Sequence, residues 1–324
     1  MIVIGIESSA HTFGVGIVDN GVILANEKSM YNITTKGMIP GDVANYHMDH
    51  VNEVISKALL SANISIDELE GVCYTKGPGI GPCLQVGQLA AKTIAKELGL
   101  KITTVNHSIA HIEIAKHFAK QKDPLVLYVS GGNSQILKMR KNKTNKYYVL
   151  GETFDIGVGN MLDNFARSAK LNPAWGSTVA KIANEGKYIE LPYTVKGMDF
   201  AFTGLLTKAT SLIGKEKIQD LCFSIQENAF SMICEATERA LLMTNSSELC
   251  VCGGVAQSSM LKDMLGSVAK EHKAKFGYAP DQYNADNGAM IAFVGERELS
   301  KGHDTKLSKC TIDQKFRTDL AVVY

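Results

Sequence analysis

The chain has 324 residues, 45% hydrophobic and 21% charged, with a formal net charge of +1. This length points to two domains or one large two-lobed unit rather than a single ordinary core, and the composition excludes a disordered or fibrous protein. The near-neutral charge leaves no composition-level footprint of nucleic-acid binding. The seven cysteines are scattered without a Cys-x-x-Cys pair, which excludes a disulfide framework or a cysteine-based zinc site, and no apolar run approaches the ~18 residues of a membrane span. A reducing cytoplasm is the expected setting.

In chain order, "IVIGIE" reads as a strand, "SSAHT" as a turn and "FGVGIVD" as a second strand, and Asn20-Gly21 is a hairpin signal leading into "VILANEKSMY". "DHVNEVISKALLSANI" then sets Val51, Val54, Ile55, Ala58, Leu59 and Ala62 on one helical face. "YTKGPGIGPCLQVGQLAAKTIAKEL" carries a strand end, a glycine-rich loop (Lys76 to Pro82) and a further helix. From Leu125 the first pattern returns: "LVLYVS", "GGNS", "QILKMRK", "NKTN" and "KYYVLGET" repeat strand, loop, strand, turn, strand. A long helix follows in "DLCFSIQENAFSMICEATERALLMT", then strand, Gly-Gly and helix in "ELCVCGGVAQSSMLKDMLGSVAKEH", and a last helix in "ADNGAMIAFVGERELSKG". The economical expectation is an α/β fold of two duplicated lobes with a nucleotide cleft between them. The boundary is expected within Lys120 to Pro124, giving lobes 1–122 and 123–324, with the last helix packing back across the cleft.

Three loops share one design, in which a strand delivers the chain to small residues with unobstructed backbone N–H groups: Glu7 to Thr12, Tyr128 to Ser134 and Cys252 to Ser258. Such loops cradle phosphates, although any one of them alone also suits a tight turn. No P-loop and no G-x-G-x-x-G dinucleotide fingerprint is present. Paired hairpin loops with a third at a helix start resemble the actin, Hsp70 and sugar-kinase superfamily, whose two lobes clamp a nucleotide. The lysine-rich Lys138 to Lys146 reads as a solvated hairpin tip, with phosphate contact as the alternative.

"HSIAHIEIAKHF" reads as a helix capped by Asn106, so His107 and His111, four apart, share a face near its start. They can be two metal ligands or a structural pair. The residues between them, Ser108, Ile109 and Ala110, lack the glutamate base of H-E-x-x-H zinc proteases; Glu113 lies off the His face, which disfavours a peptidase. Further oxygen donors are available at Asp286, just before a helix start, and at Tyr128, at a strand end; such a mixed set suits iron or zinc. His117 points about 80° away on an ideal helix and stays outside the set.

"NHSIAHIE", "YVSGGNSQ", "ETFDIGVGNMLDNFAR", "MDFAFTGLLT", "CGGVAQSSML" and "ADNGAMIA" occur in this order between Asn106 and Ala292, within a resemblance that runs from about Ile2 to Thr318. Together they resemble the TsaD family, specifically its archaeal and eukaryotic KEOPS-complex branch. The resemblance implies a tRNA-modifying acyltransferase that passes a threonylcarbamoyl group from threonylcarbamoyl-adenylate to the exocyclic amine of the adenosine 3′ of the anticodon, in tRNAs reading codons that begin with A. It implies one metal per subunit, iron or zinc, on His107, His111, Tyr128 and Asp286. It implies substrate contacts from Tyr128, Val129, Ser130, Gly131, Gly132, Asp163, Gly176, Ala180 and Ser258, with Asp163 as a catalytic candidate. The implied partners are tRNA, a kinase-like ATPase (separate or fused C-terminally), and small dimerising and accessory subunits; no membrane is involved. The chain departs from the family pattern at Gly41 and Gln85 (usually arginine), Asp42 and Ala180 (usually glutamate) and Ser258 (usually asparagine), and has "AWG" at Ala174 to Gly176 for the usual "PGG". A non-catalytic nucleotide-binding scaffold is the alternative these departures leave open.

Overall fold

The computed structural model describes residues 1–32, 37–140 and 145–323. The opening meander is β1 (Ile2–Glu7), β2 (Thr12–Asp19) and β3 (Val22–Met30), antiparallel throughout. Asn20 and Gly21 take positive φ, as the hairpin signal requires. β1 and β2 are buried almost end to end, so their apolar residues run on without alternating, as in strands covered on both faces. α1 (Pro40–Ala62) follows, and all six residues of its expected apolar face are buried or half-buried. It ends on Asn63 in the left-handed region, whose N–H closes on Leu59 and Leu60 carbonyls.

β4 (Gly71–Gly77), α2 (Gly81–Glu97) and β5 (Lys101–Asn106) complete a sheet in the order β3-β2-β1-β4-β5, its last three strands parallel. β5 runs straight into α3 (His107–Ala119). A second meander follows, β6 (Leu125–Val129), β7 (Ser134–Met139) and β8 (Tyr147–Glu152). Next come α4 (Val158–Ser168), α5 (Gly176–Ala183), a two-stranded ribbon of β9 (Val195–Lys196) and β10 (Asp199–Phe200), α6 (Thr203–Ser211) and α7 (Ile218–Thr244). β11 (Glu248–Cys252), α8 (Ser259–Glu271), β12 (Lys275–Tyr278) and the short α9 (Asp281–Asn284) follow. The second sheet has the order β12-β11-β6-β7-β8, the topology of the first repeated strand for strand. The duplication expected from sequence is therefore present in the fold. α7 lies against α5, α6 and α8 and contributes Leu221, Ile225, Phe230 and Ile233 to the core of this half.

The last helix, α10 (Gly288–Ser300), returns to the first sheet and packs on β1, β2, β4 and β5. Bare strand surface admits it. A Cβ on Gly5 would stand 2.2 Å from the Ala292 nitrogen, and one on Gly16 2.2 Å from the Ala289 nitrogen. Because of this return, the chain's two compact units do not follow a single cut at 122/123. The first comprises Met1–Ile114, Arg140–Tyr147 and Asp286–Tyr324; the second comprises Ala115–Met139 and Tyr148–Ala285. The sequence boundary at Lys120 to Pro124 is corrected accordingly: the division falls inside α3, and residues 286–324 belong with the N-terminal sheet. The lysine-rich tip also differs from expectation at Lys138, which is buried with its ammonium on the Asp123 carboxylate and carbonyl; Lys141, Asn142, Lys143 and Thr144 lie outside the described residues. Among the described residues, no helix is long and apolar enough to cross a membrane.

Candidate metal and substrate sites

β5 delivers Asn106 to the start of α3, where its Oδ1 accepts the Ile109 N–H at 3.1 Å, the expected N-cap. With the helix start fixed, His107 and His111 stand one turn apart with ring centroids 4.7 Å from each other. Asp286 comes from the turn before α10, whose first turn is held by the Asn287 cap on the Met290 N–H. Its Oδ1 lies 3.2 Å from His111 Nε2 and 3.5 Å from His107 Nε2. The three residues can each turn a donor atom to within 4.8 Å of the others, the one such group of His, Cys, Asp or Glu among the described residues.

The sequence did not reveal what stands behind His107. Glu7, fully buried at the end of β1, accepts from His107 Nδ1 at 3.0 Å, from the Thr75 hydroxyl at 2.7 Å and from the Ser9 N–H at 2.6 Å. Burial works to raise the Glu7 pKa, but the His107 charge and hydrogen bond outweigh it, so the carboxylate stays ionised. Burial likewise works to lower the His107 pKa, and Glu7 and Asp286 together push it up to about 9. Burial lowers His111 and outweighs its bond to Asp286. Asp286 is held below the carboxylate range by both histidines, against the opposing effect of burial. The arrangement fits a metal ion: the anionic Glu7 carboxylate accepts a hydrogen bond from His107 Nδ1–H, which leaves Nε2 to serve as ligand atom on the side of Asp286 and His111. The nitrogen and oxygen donor set suits iron or zinc. The only sequence signal for Glu7 was an acid ending an otherwise apolar buried strand.

Tyr128 and the other expected substrate residues belong to the second unit. Tyr128 and Val129 end β6, both buried. The turn that follows is tied by Ser130 N–H to the Asn133 carbonyl and by Asn133 N–H to Ser130 Oγ. Exposed Gly131 and Gly132 give their N–H groups to no protein acceptor among the described residues. The start of α4 closes on this turn, with Gly159 and Asn160 donating to the Ser130 and Gly131 carbonyls. Gly253, at φ +97, lies so close that a Cβ there would be 2.2 Å from the Val129 carbonyl oxygen, so the Gly-Gly loop abuts the end of β6. Ser258 caps α8 through the Leu261 N–H at 3.4 Å. Asp163, expected as a catalytic candidate, spends one carboxylate oxygen on the Gly176 N–H at 2.7 Å, which joins α4 to the start of α5; Ala180 sits one turn further along, half-buried. Within this unit the structure brings Tyr128, Val129, Ser130, Gly131 and Gly132 together, and separately pairs Asp163 with Gly176.

The family model described as TsaD, tRNA N6-adenosine threonylcarbamoyltransferase, matches residues 22–293. A tRNA N6-adenosine threonylcarbamoyltransferase of Saccharolobus islandicus is 43% identical over 326 residues, covering 98% of each chain. A Thermoplasma volcanium protein described as "Probable bifunctional tRNA threonylcarbamoyladenosine biosynthesis protein" is 43% identical over 98% of this chain and 60% of its own length. Among solved structures, HypF of T. kodakarensis superposes with a TM-score of 0.63 at 14% identity, over 93% of this chain and 48% of that one. A ROK hexokinase of Thermus thermophilus superposes with a TM-score of 0.50 at 13% identity, over 93% and 100%. At such identity these structures speak for the fold alone, and it is the actin and sugar-kinase α/β fold.

Proposed function

Because the chain belongs to the TsaD family of tRNA N6-adenosine threonylcarbamoyltransferases, we propose that it moves a threonylcarbamoyl group from threonylcarbamoyl-AMP to the N6 amine of the adenosine 3′ of the anticodon, in tRNAs reading ANN codons. The observation that carries the reading is the convergence of His107, His111 and Asp286 with Glu7 behind them. In the proposed reaction the adenosine amine attacks the carbamoyl carbonyl, the bond to the AMP phosphate oxygen breaks, AMP leaves with the electron pair, and the amine loses a proton.

The donor is a mixed anhydride with a good leaving group, so orientation and stabilisation of developing negative charge are the main demands. The uncommitted N–H groups of Gly131 and Gly132 are the proposed donors to an anionic oxygen of the adenylate. Asp163, steadied by the Gly176 N–H, is the proposed contact to the sugar or the incoming amine. His107, His111 and Asp286, with Tyr128 as the proposed fourth ligand, would hold iron or zinc, whose Lewis acidity would polarise the carbamoyl carbonyl. A peptidase reading lacks its base, since Glu113 is taken by the Tyr147 hydroxyl at 3.0 Å and by Arg297 at 2.9 Å.

A kinase-like ATPase, together with dimerising and accessory KEOPS subunits in the cytoplasm, completes the proposal; the bifunctional Thermoplasma relative supports a fused or separate second activity. The departures at Gly41, Asp42, Gln85, Ala180 and Ser258 favour one second reading, a nucleotide-binding scaffold without its own turnover. Purified protein and partner subunits, incubated with threonine, bicarbonate, ATP, the adenylate-forming enzyme and unmodified tRNA, should yield threonylcarbamoyladenosine by nucleoside mass spectrometry. Absence of product where an active relative succeeds overturns transfer and leaves the scaffold. Metal analysis of His107→Ala and His111→Ala checks the centre on its own, and undiminished metal content removes it.

A further inference from the structure

A pocket of ≈ 330 Å³ lies in the first unit between β5, the C-terminal end of α10 and the chain segment that follows it. Its lining includes the polar Thr103, Glu298 and Lys76 and the apolar Ile109, Phe316 and Leu320. Lys76, Glu298 and Asp304 are its charged lining residues, with His303 beside them, and Lys76 and Glu298 form no ion pair with each other among the described residues. Glu298 is only 8% exposed, and among the described residues its carboxylate has a single hydrogen bond, from the Thr103 hydroxyl at 2.9 Å to Oε2. The neighbouring Arg297 is turned instead to Glu113. Lys76 sets its ammonium over the Phe316 ring, 5.0 Å from the centroid, and has no carboxylate partner among the described residues.

A buried carboxylate without a counter-charge is costly, and the half-buried Lys76 ammonium beside the same cavity offers a complementary charge. We propose that this pocket binds a small zwitterion of the α-amino acid class, its ammonium on Glu298, its carboxylate on Lys76 and its side chain against Ile109, Phe316 and Leu320. The volume is at the small end of ligand pockets, which fits a molecule of that size. Burial pushes the Glu298 carboxyl up to about 7, against the lowering effects of Thr103 and Arg297, and an ammonium beside it would favour the ionised form. The pocket wall also includes Asn106 and Ile109, the cap and capped residue of α3, so a ligand here would touch the support of His107.

The test is calorimetric titration of the full chain with each proteinogenic L-amino acid at millimolar concentration, followed by the methyl ester and N-acetyl derivatives of any that bind. Binding of one or more amino acids is expected, with each derivative and each of Glu298→Gln and Lys76→Met weaker by at least about tenfold. Circular dichroism confirms that both variants are folded. No binding by any amino acid overturns the proposal, as does binding that survives in both variants. A derivative that binds as well as its parent overturns the zwitterion assignment.

Discussion

Glu7 does for His107 what no residue near it in sequence can do. It fixes which ring nitrogen carries the proton, and the fully buried carboxylate has two further donors to hold it in place. Substituting such a supporting carboxylate typically costs about 10–100-fold in metal affinity. Glu7→Gln should therefore bind iron or zinc more weakly by that factor in competition with a chromophoric chelator, with unchanged circular dichroism; equal affinity would remove the orienting role. Glu298 carries a different prediction. Its folded pKa is about 7 against an ordinary 4.5, so between those values the folded state holds a proton that the unfolded state has lost. Stability is unaffected below about pH 4.5 and falls as pH rises through 7, by on the order of 3 kcal/mol in full. Glu298→Gln should then raise Tm at about pH 8 and leave it nearly unchanged at about pH 4.5. An equal gain at both values would contradict the raised pKa.

This contrast also shows what was legible in the chain. The Asn106 cap and the His107–His111 pair are local signals, resolved by helix geometry alone, and Asp286 could be picked out as an acid at a helix start. Glu7 is a hundred residues from its partner and reads only as the end of a strand. Its role exists only in the packed structure.

Among the elements, the seam between α10 and the first two strands brings backbone against backbone. Gly16 has backbone of Gly288 and Ala289 where a side chain would be, so Gly16→Val must push the helix away. The expected loss is at the upper end of the about 1–3 kcal/mol typical of overpacking, or more, and metal affinity should fall with it because Asp286 precedes that helix. A variant with unchanged Tm and unchanged metal affinity would contradict the seam's role. Gly41, in the first turn of α1, is the control: its Cβ direction is open, so Gly41→Ala should gain roughly 0.5–1 kcal/mol of helix stability. The helix face of α1 follows its spacing, whereas β5, β12 and the short ribbon of β9 and β10 are too brief or too irregular to stand out.

At the scale of the whole molecule, the repeat of strand order was readable because each meander is local and ends in its own turn. The division into units was not: the last helix is expected to pack back, but only its contacts with Gly5 and Gly16 show that residues 286–324 belong to the first unit. Sequence periodicity says that a helix has a face and does not say which sheet will cover it.

That return of the chain has a consequence for synthesis. On the ribosome, β1, β2 and both histidines emerge long before Asp286 and α10 exist, and until then the glycine surface of the first sheet has nothing to cover it. The nascent chain can present two imidazoles to an ion but not the carboxylate that completes the set. Capture of an ion by the proposed set would thereby be tied to translation of residues 286–300, and a product truncated before them lacks the cover of its first sheet and the third candidate donor together.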